Sequence, residues 1–268
     1  MNRQQYIKTI LARFIFLFGL LFGLTGQIQA YSYNKDMKIL VLIVASDDQQ
    51  VYLEFQKIWR AYMHLDPDHV EAYFVKANPD LDTQCEIIDD VIWCKTSTNI
   101  NPGMLNKTLL AMEYMAPRLD EFDYVVRTNL SSFYVFPRLF PFLQTLPKTN
   151  CYSAVIGNHN GINFASGCGL IFSPDMIELL VQNKQVLWDQ GWFFEDVVLG
   201  AFFRDQNIGI IAASRADMLT PQDWDRSKYS LPPDIFHFRV KNSDPGRRVI
   251  EDIYIQLEML KMFYNVSL

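Results

Sequence analysis

Two acids stand together in "WDQGWFFEDVVLGAFF", Glu195 and Asp196. An acid beside aromatic rings is partly desolvated, which raises its pKa and suits it to take a proton from a hydroxyl. Acids in the first turn of a helix also simply complement its dipole. Further on, "FHFRVKN" alternates in the manner of a strand. Phe236, Phe238 and Val240 face one way, and His237, Arg239 and Lys241 the other. Three potentially cationic groups on one face, with Arg247 and Arg248 close behind, suit a phosphate or pyrophosphate. The same pattern protects an exposed sheet edge from aggregation, and both readings stay open at this point.

A third place where chemistry concentrates is "YVVRTNLSSF". Strand formers end in Arg127, followed by Thr128, Asn129, Leu130, Ser131 and Ser132. A buried strand that breaks into short polar groups usually holds a ligand, yet this knot contains no carboxylate. Asp47 and Asp48 follow an apolar run and suit a ribose or base edge, or plain solvation. In "NFASGCGLIFSPDM", Gly167 and Gly169 permit close approach of a ligand to the backbone, or a tight turn, next to Ser166.

The elements that must position these residues are legible as patterns. "MKILVLIVAS" is a continuous apolar run of strand length, fitting a strand buried on both faces. Phe55, Ile58, Trp59 and Tyr62 form one helical stripe. "VEAYFVKA", "VIWCKT", "YVVR", "SFYVF", "YSAVIG", "GLIFS", "IGIIAA" and "IFHFRV" read as strands. "NPGMLNKTLLAMEYMAPRL" reads as a helix capped by Asn101, with Pro102 first and Leu105, Leu109 and Met112 inward. Ser173-Pro174 opens a helix to about Leu187, "EDVVLGAFFRDQ" is another, and residues 249–264 a last one. Alternating strands and helices predict an α/β fold, a mixed, mostly parallel sheet flanked by helices. In such sheets ligands sit beyond the carboxyl ends of the strands, where the knot and "SDDQQ" both fall.

The chain has 268 residues, 50% hydrophobic and 14% aromatic, with a net charge of -6. That supplies one sizeable core and gives no reason to expect nucleic acid or an anionic membrane as partner. Arg3, Lys8 and Arg13, the apolar run Phe14 to Leu24 and "GQIQA" read as a secretory signal peptide over residues 1–30. The alternative is a retained signal anchor. Both put residues 31–268, a single domain, outside the cytosol, secreted or in the lumen of the secretory pathway. Cys85 with Cys94 and Cys151 with Cys168 are then the short-loop disulfide pairing, against buried free thiols. Of the sequons at Asn106, Asn129 and Asn265, the last looks freely available.

Several segments together resemble a known family. "KILVLIVAS…KIWR", "NKTLLAMEYM…FDYVVRTNLSSFYVFPRL", "NFASGCGLIFSPDMIELL" and "EDVVLG" are similar, in order and rough spacing, to the β-1,3-galactosyltransferase and Fringe type of GT-A (Rossmann-like) glycosyltransferases. The likeness spans residues 38 to about 205. It implies transfer of a hexose from a nucleotide sugar, a UDP-sugar above all, to a hydroxyl of a glycan or glycoprotein, with inversion. By position, Asp196 or Glu195 would be the base. Asp47, Arg127, Thr128, Asn129, Ser131, His237, Arg239 and Lys241 would hold the donor. Ser166 and Gly167 would lie on the acceptor side. The family's acidic motif, which holds Mn2+ or Mg2+, is replaced by Asn129, Leu130 and Ser131. Hard cations want carboxylate oxygens. Three outcomes follow: a metal-independent enzyme with protein cations on the leaving group, a metal held through His237 and the donor phosphates, or an inert secreted carbohydrate- or nucleotide-binding protein.

Overall fold

The computed structural model describes residues 36–190 and 193–268. The leader expected at residues 1–30 lies outside the described residues. β1 (Ile39–Val44) is six apolar residues, all buried. Only a strand covered on both faces can hide such a run. β2 (Val70–Ala77) and β5 (Tyr124–Asn129) flank it in parallel, with Val44 opposite Val75 on one side and Asn129 on the other. The carboxyl ends of β1 and β5 are therefore level. β4 (Val91–Cys94) runs parallel to β2, and β3 (Cys85–Ile88) closes that edge antiparallel. Beyond β5 come β10 (Gly169–Phe172) and β7 (Tyr152–Ala154), antiparallel to their inner neighbours except that the short β11 (Ile211–Ala212) is parallel to β7. The eight strands make one mixed, mostly parallel sheet in the order β11-β7-β10-β5-β1-β2-β4-β3.

Two apolar layers cover it. α1 (Gln50–Tyr62) lays Phe55, Ile58, Trp59 and Tyr62 on one face, beside Ile255, Met259 and Leu260 of α8 (Arg248–Tyr264). α2 (Gly103–Met115), α4 (Pro174–Gln182) and α6 (Glu195–Asp205) cover the other through Leu109, Met112, Ile177, Leu180, Leu199 and Phe203. Each such side chain, taken fully out of water, contributes roughly 1.5–3 kcal/mol.

A second sheet of three strands sits at the carboxyl end of β5. It is built from β12 (Ala216–Met218), β13 (His237–Val240) and β6 (Ser132–Tyr134), with β13 in the middle. The charges on β13 are therefore not an edge device. β8 (Ile156–His159) and β9 (Ile162–Ala165) form a separate hairpin.

Several expectations are corrected. "YSAVIG" is not one strand: it leaves the main sheet after Ala154 and enters the hairpin. The helix from Pro174 breaks at Asn183 into α4 and α5 (Lys184–Asp189). α2 is capped by Asn99, whose Oδ1 accepts from Gly103 N at 2.9 Å, rather than by Asn101. α3 (Phe136–Leu143) and α7 (Pro221–Ser227) are additional helices. All four cysteines are free thiols. Cys85 and Cys94 face each other across β3 and β4 with sulfurs 3.3 Å apart, unbonded. Cys151 bonds to Ser173, beyond the far end of β10, whereas Cys168 precedes its start. At roughly 3.3 Å per strand residue that separation exceeds the reach of a disulfide. Asn106 lies within α2 with its Oδ1 buried, and Asn129 is half-buried, whereas Asn265 is exposed.

Candidate active site

Most of the polar knot at the end of β5 grips the protein itself. Arg127 is fully buried in the sheet, on the face covered by α2 and α6. Its guanidinium pairs with Glu195, donates to the Gly167 carbonyl and donates to Asn129 Oδ1 at 2.8 Å. The Thr128 and Ser132 hydroxyls both donate to the Cys168 carbonyl, at 2.6 and 2.8 Å. The Gly167 amide in turn donates to Asp196 Oδ2 at 3.1 Å. The result is a clasp joining the end of β5, the 166–169 turn and the start of α6. At Gly167 a Cβ would stand 3.4 Å from the Asp196 side chain, an ordinary contact, so the clasp uses the backbone of this residue rather than its lack of a side chain. At Gly169 a Cβ would come within 2.4 Å of the Tyr134 hydroxyl and 2.5 Å of the His237 ring.

This geometry narrows several expected roles. Arg127 has no access to a donor diphosphate, because its charge is spent on Glu195. Glu195 is 5% exposed, so it cannot reach an acceptor. Burial pushes its pKa up, and the Arg127 guanidinium and then the Thr108 hydroxyl pull it back. Thr128 is fully buried and serves the clasp. Asp196 remains partly open to solvent, held by the Gly167 and Val197 amides, each at 3.1 Å. Asp47 is tied to Lys76 Nζ at 2.7 Å and to Gln56 Nε2 at 2.9 Å. Burial opposes its ionisation, but these two bonds and the Lys76 charge hold its pKa below the usual value.

A cleft of about 340 Å³ opens where β1 and β5 end, lined by Ser46, Asp48, Tyr52, Asn99, Asn129 and Ser131 among others. Three cations share its wall: Lys107, Lys241 and Arg248. Lys107 projects from α2 and donates to the Ala45 carbonyl at 2.9 Å. Burial first, and then the neighbouring Arg127 charge, bring its ammonium down to about 8. Arg248 is buried and paired with Asp252 at 2.8 Å, its guanidinium over the Tyr52 ring. Lys241 is exposed at the rim.

β13 meets the knot through β6. Arg239 lies opposite Ser132, and the Val240 amide donates to the Ser131 carbonyl at 2.8 Å. His237 is buried, stacked on Tyr134 at 4.5 Å, with Nε2 3.1 Å from Ser132 Oγ. Burial, with Arg215 and Arg239 nearby, pushes its pKa well below the usual value. His237 is therefore neutral and adds no charge to a donor site. Its Nε2 is engaged by Ser132 rather than offered to a metal. Ser166 Oγ accepts from Arg215 at 2.9 Å.

Comparison with solved structures gives a glycosyltransferase involved in the glycosylation of the major capsid of PBCV-1, with a TM-score of 0.51 at 8% identity over 83% of this chain and 99% of that one. The fold is that of a GT-A glycosyltransferase. Also similar are a mutant of Drosophila β1,4-galactosyltransferase 7, solved with manganese, UDP-Gal and xylobiose (TM-score 0.40, 12% identity, 77% and 72% of the two chains). GlyE of Streptococcus pneumoniae TIGR4 gives a TM-score of 0.41 at 12% identity, over 87% of this chain and 65% of that one. No protein-family model and no curated protein matches the chain.

GT-A folds imply a divalent cation at the knot, and the residues here do not fit one. Asn129 Oδ1 already accepts from Arg127. The Leu130 carbonyl, the one ligand a leucine could offer, already accepts from Trp59 Nε1 at 3.2 Å and Gln256 Nε2 at 3.4 Å. The Ser131 carbonyl is taken by Val240. No carboxylate is present among the three, and the neutral Ser131 hydroxyl beside oxygens already engaged makes a poor shell for a hard cation.

Two site residues escaped the sequence reading. Lys107 sits in "NKT", where the helical stripe was drawn through Leu105, Leu109 and Met112, yet α2 buries Lys107 and Thr108 as well. Arg215 follows a stretch read only as strand. Neither carries a local signal, since both matter through partners far along the chain.

Proposed function

We propose that this protein transfers a sugar from a nucleoside-diphosphate sugar, a UDP-sugar in the first instance, to a hydroxyl of a glycan or glycoprotein acceptor. The observation that carries this reading is the convergence of three cations on one cleft at the carboxyl ends of β1 and β5, inside a GT-A fold. In the reaction, the Asp196 carboxylate takes the proton of the acceptor hydroxyl. The oxygen attacks the anomeric carbon as its bond to the diphosphate breaks, and the electron pair leaves with the diphosphate. Attack from the opposite face inverts the anomeric centre. Lys107 and Lys241 offset the charge that develops on the leaving group, beside Arg248, whose own charge Asp252 already balances. Asn129 and Ser131 position the donor, and Asp48 and Tyr52 line the part of the cleft open to ribose and base. Ser166 and Gly167 border the acceptor.

Because protein cations occupy the role of the divalent ion, transfer proceeds without one. The sequence likeness to the β-1,3-galactosyltransferase and Fringe motifs supports the same reading, as does a secretory leader for a lumenal or secreted enzyme.

The test is incubation of the purified chain with a panel of UDP-sugars, with manganese or with chelator. Transfer or donor hydrolysis that survives chelator is the expected result. Asp196→Asn should abolish it while leaving UDP affinity within about twofold, since the change removes a base and no cation. UDP binding without turnover in the wild type would instead assign the chain to inert nucleotide binding, which the self-directed hydrogen bonds of the knot would then explain.

A further inference from the structure

One guanidinium near the site has no counter-ion among the described residues. Arg215 is neutralised by Asp217 through two contacts, at 2.6 and 3.1 Å, and spends its remaining nitrogen on Ser166 Oγ at 2.9 Å. Arg239 stands beside it on the adjacent strand, where Asp217 is opposite in register. Among the described residues no carboxylate pairs with Arg239, and its Nε is buried without an acceptor. A half-buried cation left unpaired is costly, and an orphaned buried donor calls for a partner. No group among the described residues provides it.

The position argues against the leaving diphosphate. The cleft wall holds Lys107, Lys241 and Arg248 but not Arg239. Arg239 and Arg215 instead both bear on His237, whose ring lies against Gly169 in the 166–169 turn. That turn is the one clasped to Asp196. Both charges act on a neutral histidine, and the carboxylate beside them on β12, Asp217, is already covered by Arg215.

We infer that the acceptor carries an anionic oxygen group, a carboxylate or a phosphate, bound by Arg239 with Arg215 beside Ser166. This rests on the transfer reading above. It names the class of acceptor: an acidic sugar residue, with its charged group at the second cationic centre and its reacting hydroxyl toward Asp196. A guanidinium meets either oxyacid through paired N–H donors.

The experiment measures binding of methyl glucuronide, methyl glucoside 6-phosphate and methyl glucoside to the UDP-saturated protein, by saturation-transfer NMR and calorimetry. At least one charged glycoside should bind about tenfold or more tightly than the neutral one, the factor expected of a charge-assisted hydrogen bond. The relative affinities of glucuronide and phosphate separate the two sources of the anion. Arg239→Gln should abolish the preference and leave UDP affinity within about twofold, whereas Arg239→Lys should restore part of it. Equal binding of charged and neutral glycosides, or no binding of either charged one, overturns the inference. So does Arg239→Gln weakening UDP, which would hand this guanidinium to the leaving group. A wild type that fails to bind UDP at all counts against the transfer reading itself, and the glycoside preference is then read without nucleotide.

Discussion

Replacing Lys107 with methionine tests the cleft's electrostatics most directly. Lys107 is buried, its ammonium donates to the Ala45 carbonyl, and it lies close enough to Arg127 to feel its charge. Its ammonium therefore loses its proton at about 8 in the folded chain. An ordinary lysine, as in the unfolded chain, holds its proton to about 10.4. At ~1.4 kcal/mol per pH unit the gap amounts to about 3 kcal/mol. The sign is fixed by proton counting. Between those two values the unfolded state binds the proton and the native state does not, so stability rises with pH across the window. Urea unfolding of wild type and Lys107→Met from neutral pH to about pH 10.4 should show the wild type gaining about 3 kcal/mol relative to the variant. Methionine matches the chain length and carries no charge, so other titrations cancel in the difference. A bound diphosphate reverses the effect by bringing negative charge to the ammonium. UDP binding at about pH 8.5 should therefore take up a proton in the wild type and none in the variant, read by calorimetry in two buffers of different ionisation enthalpy. Parallel pH profiles for the two proteins, or equal proton uptake, would refute the placement of Lys107 beside the nucleotide.

Arg127→Met should cost about 3–5 kcal/mol in urea unfolding, because Glu195 is left buried without its partner, and Arg127→Met with Glu195→Leu should recover much of that loss; an additive double variant would sink the account. His237 is neutral in the fold, so the unfolded chain takes up a proton below pH ~6.5 that the native chain refuses. Stability should therefore fall with decreasing pH by up to ~1.4 kcal/mol per unit, and His237→Gln should flatten that slope in acid-unfolding curves.

The central sheet was legible because its strands are uninterrupted apolar runs, and a run such as 39–44 has no way to be buried except between two layers. The stripe of α1 and the alternation on β13 were equally plain, since each is a period set by backbone geometry. What failed was local punctuation. The hairpin of β8 and β9 turns at Asn160-Gly161, a strong turn pair that lies between the strand expected at 152–157 and the turn expected at 163–169. α7 opens on a capping box, the Thr220 side chain accepting from Asp223 N while Asp223 reaches back, and that signal was present but short. α3 carries Pro137 and Pro141, residues that argue against a helix unless one stands in the first turn. In the site, residue types pointed to the right neighbourhood and to some wrong tasks. Arg127 and Glu195 look like chemistry in sequence because nothing local shows that they neutralise each other across 68 positions. Lys107 carries no mark in sequence for the converse reason, since its burial depends on partners outside its own helix.

That long-range ion pair also governs how the molecule can be divided. A fragment ending before residue 195 would contain β1, β2 and β5, much of what the cleft requires, yet its guanidinium would sit in the middle of the sheet with its counter-charge removed. Losing one member of a buried pair costs about 3–5 kcal/mol, a large part of what holds an average domain together. The half before α6 therefore cannot be cut out as a stable module. During synthesis it must wait for the downstream helix before its interior is electrically complete.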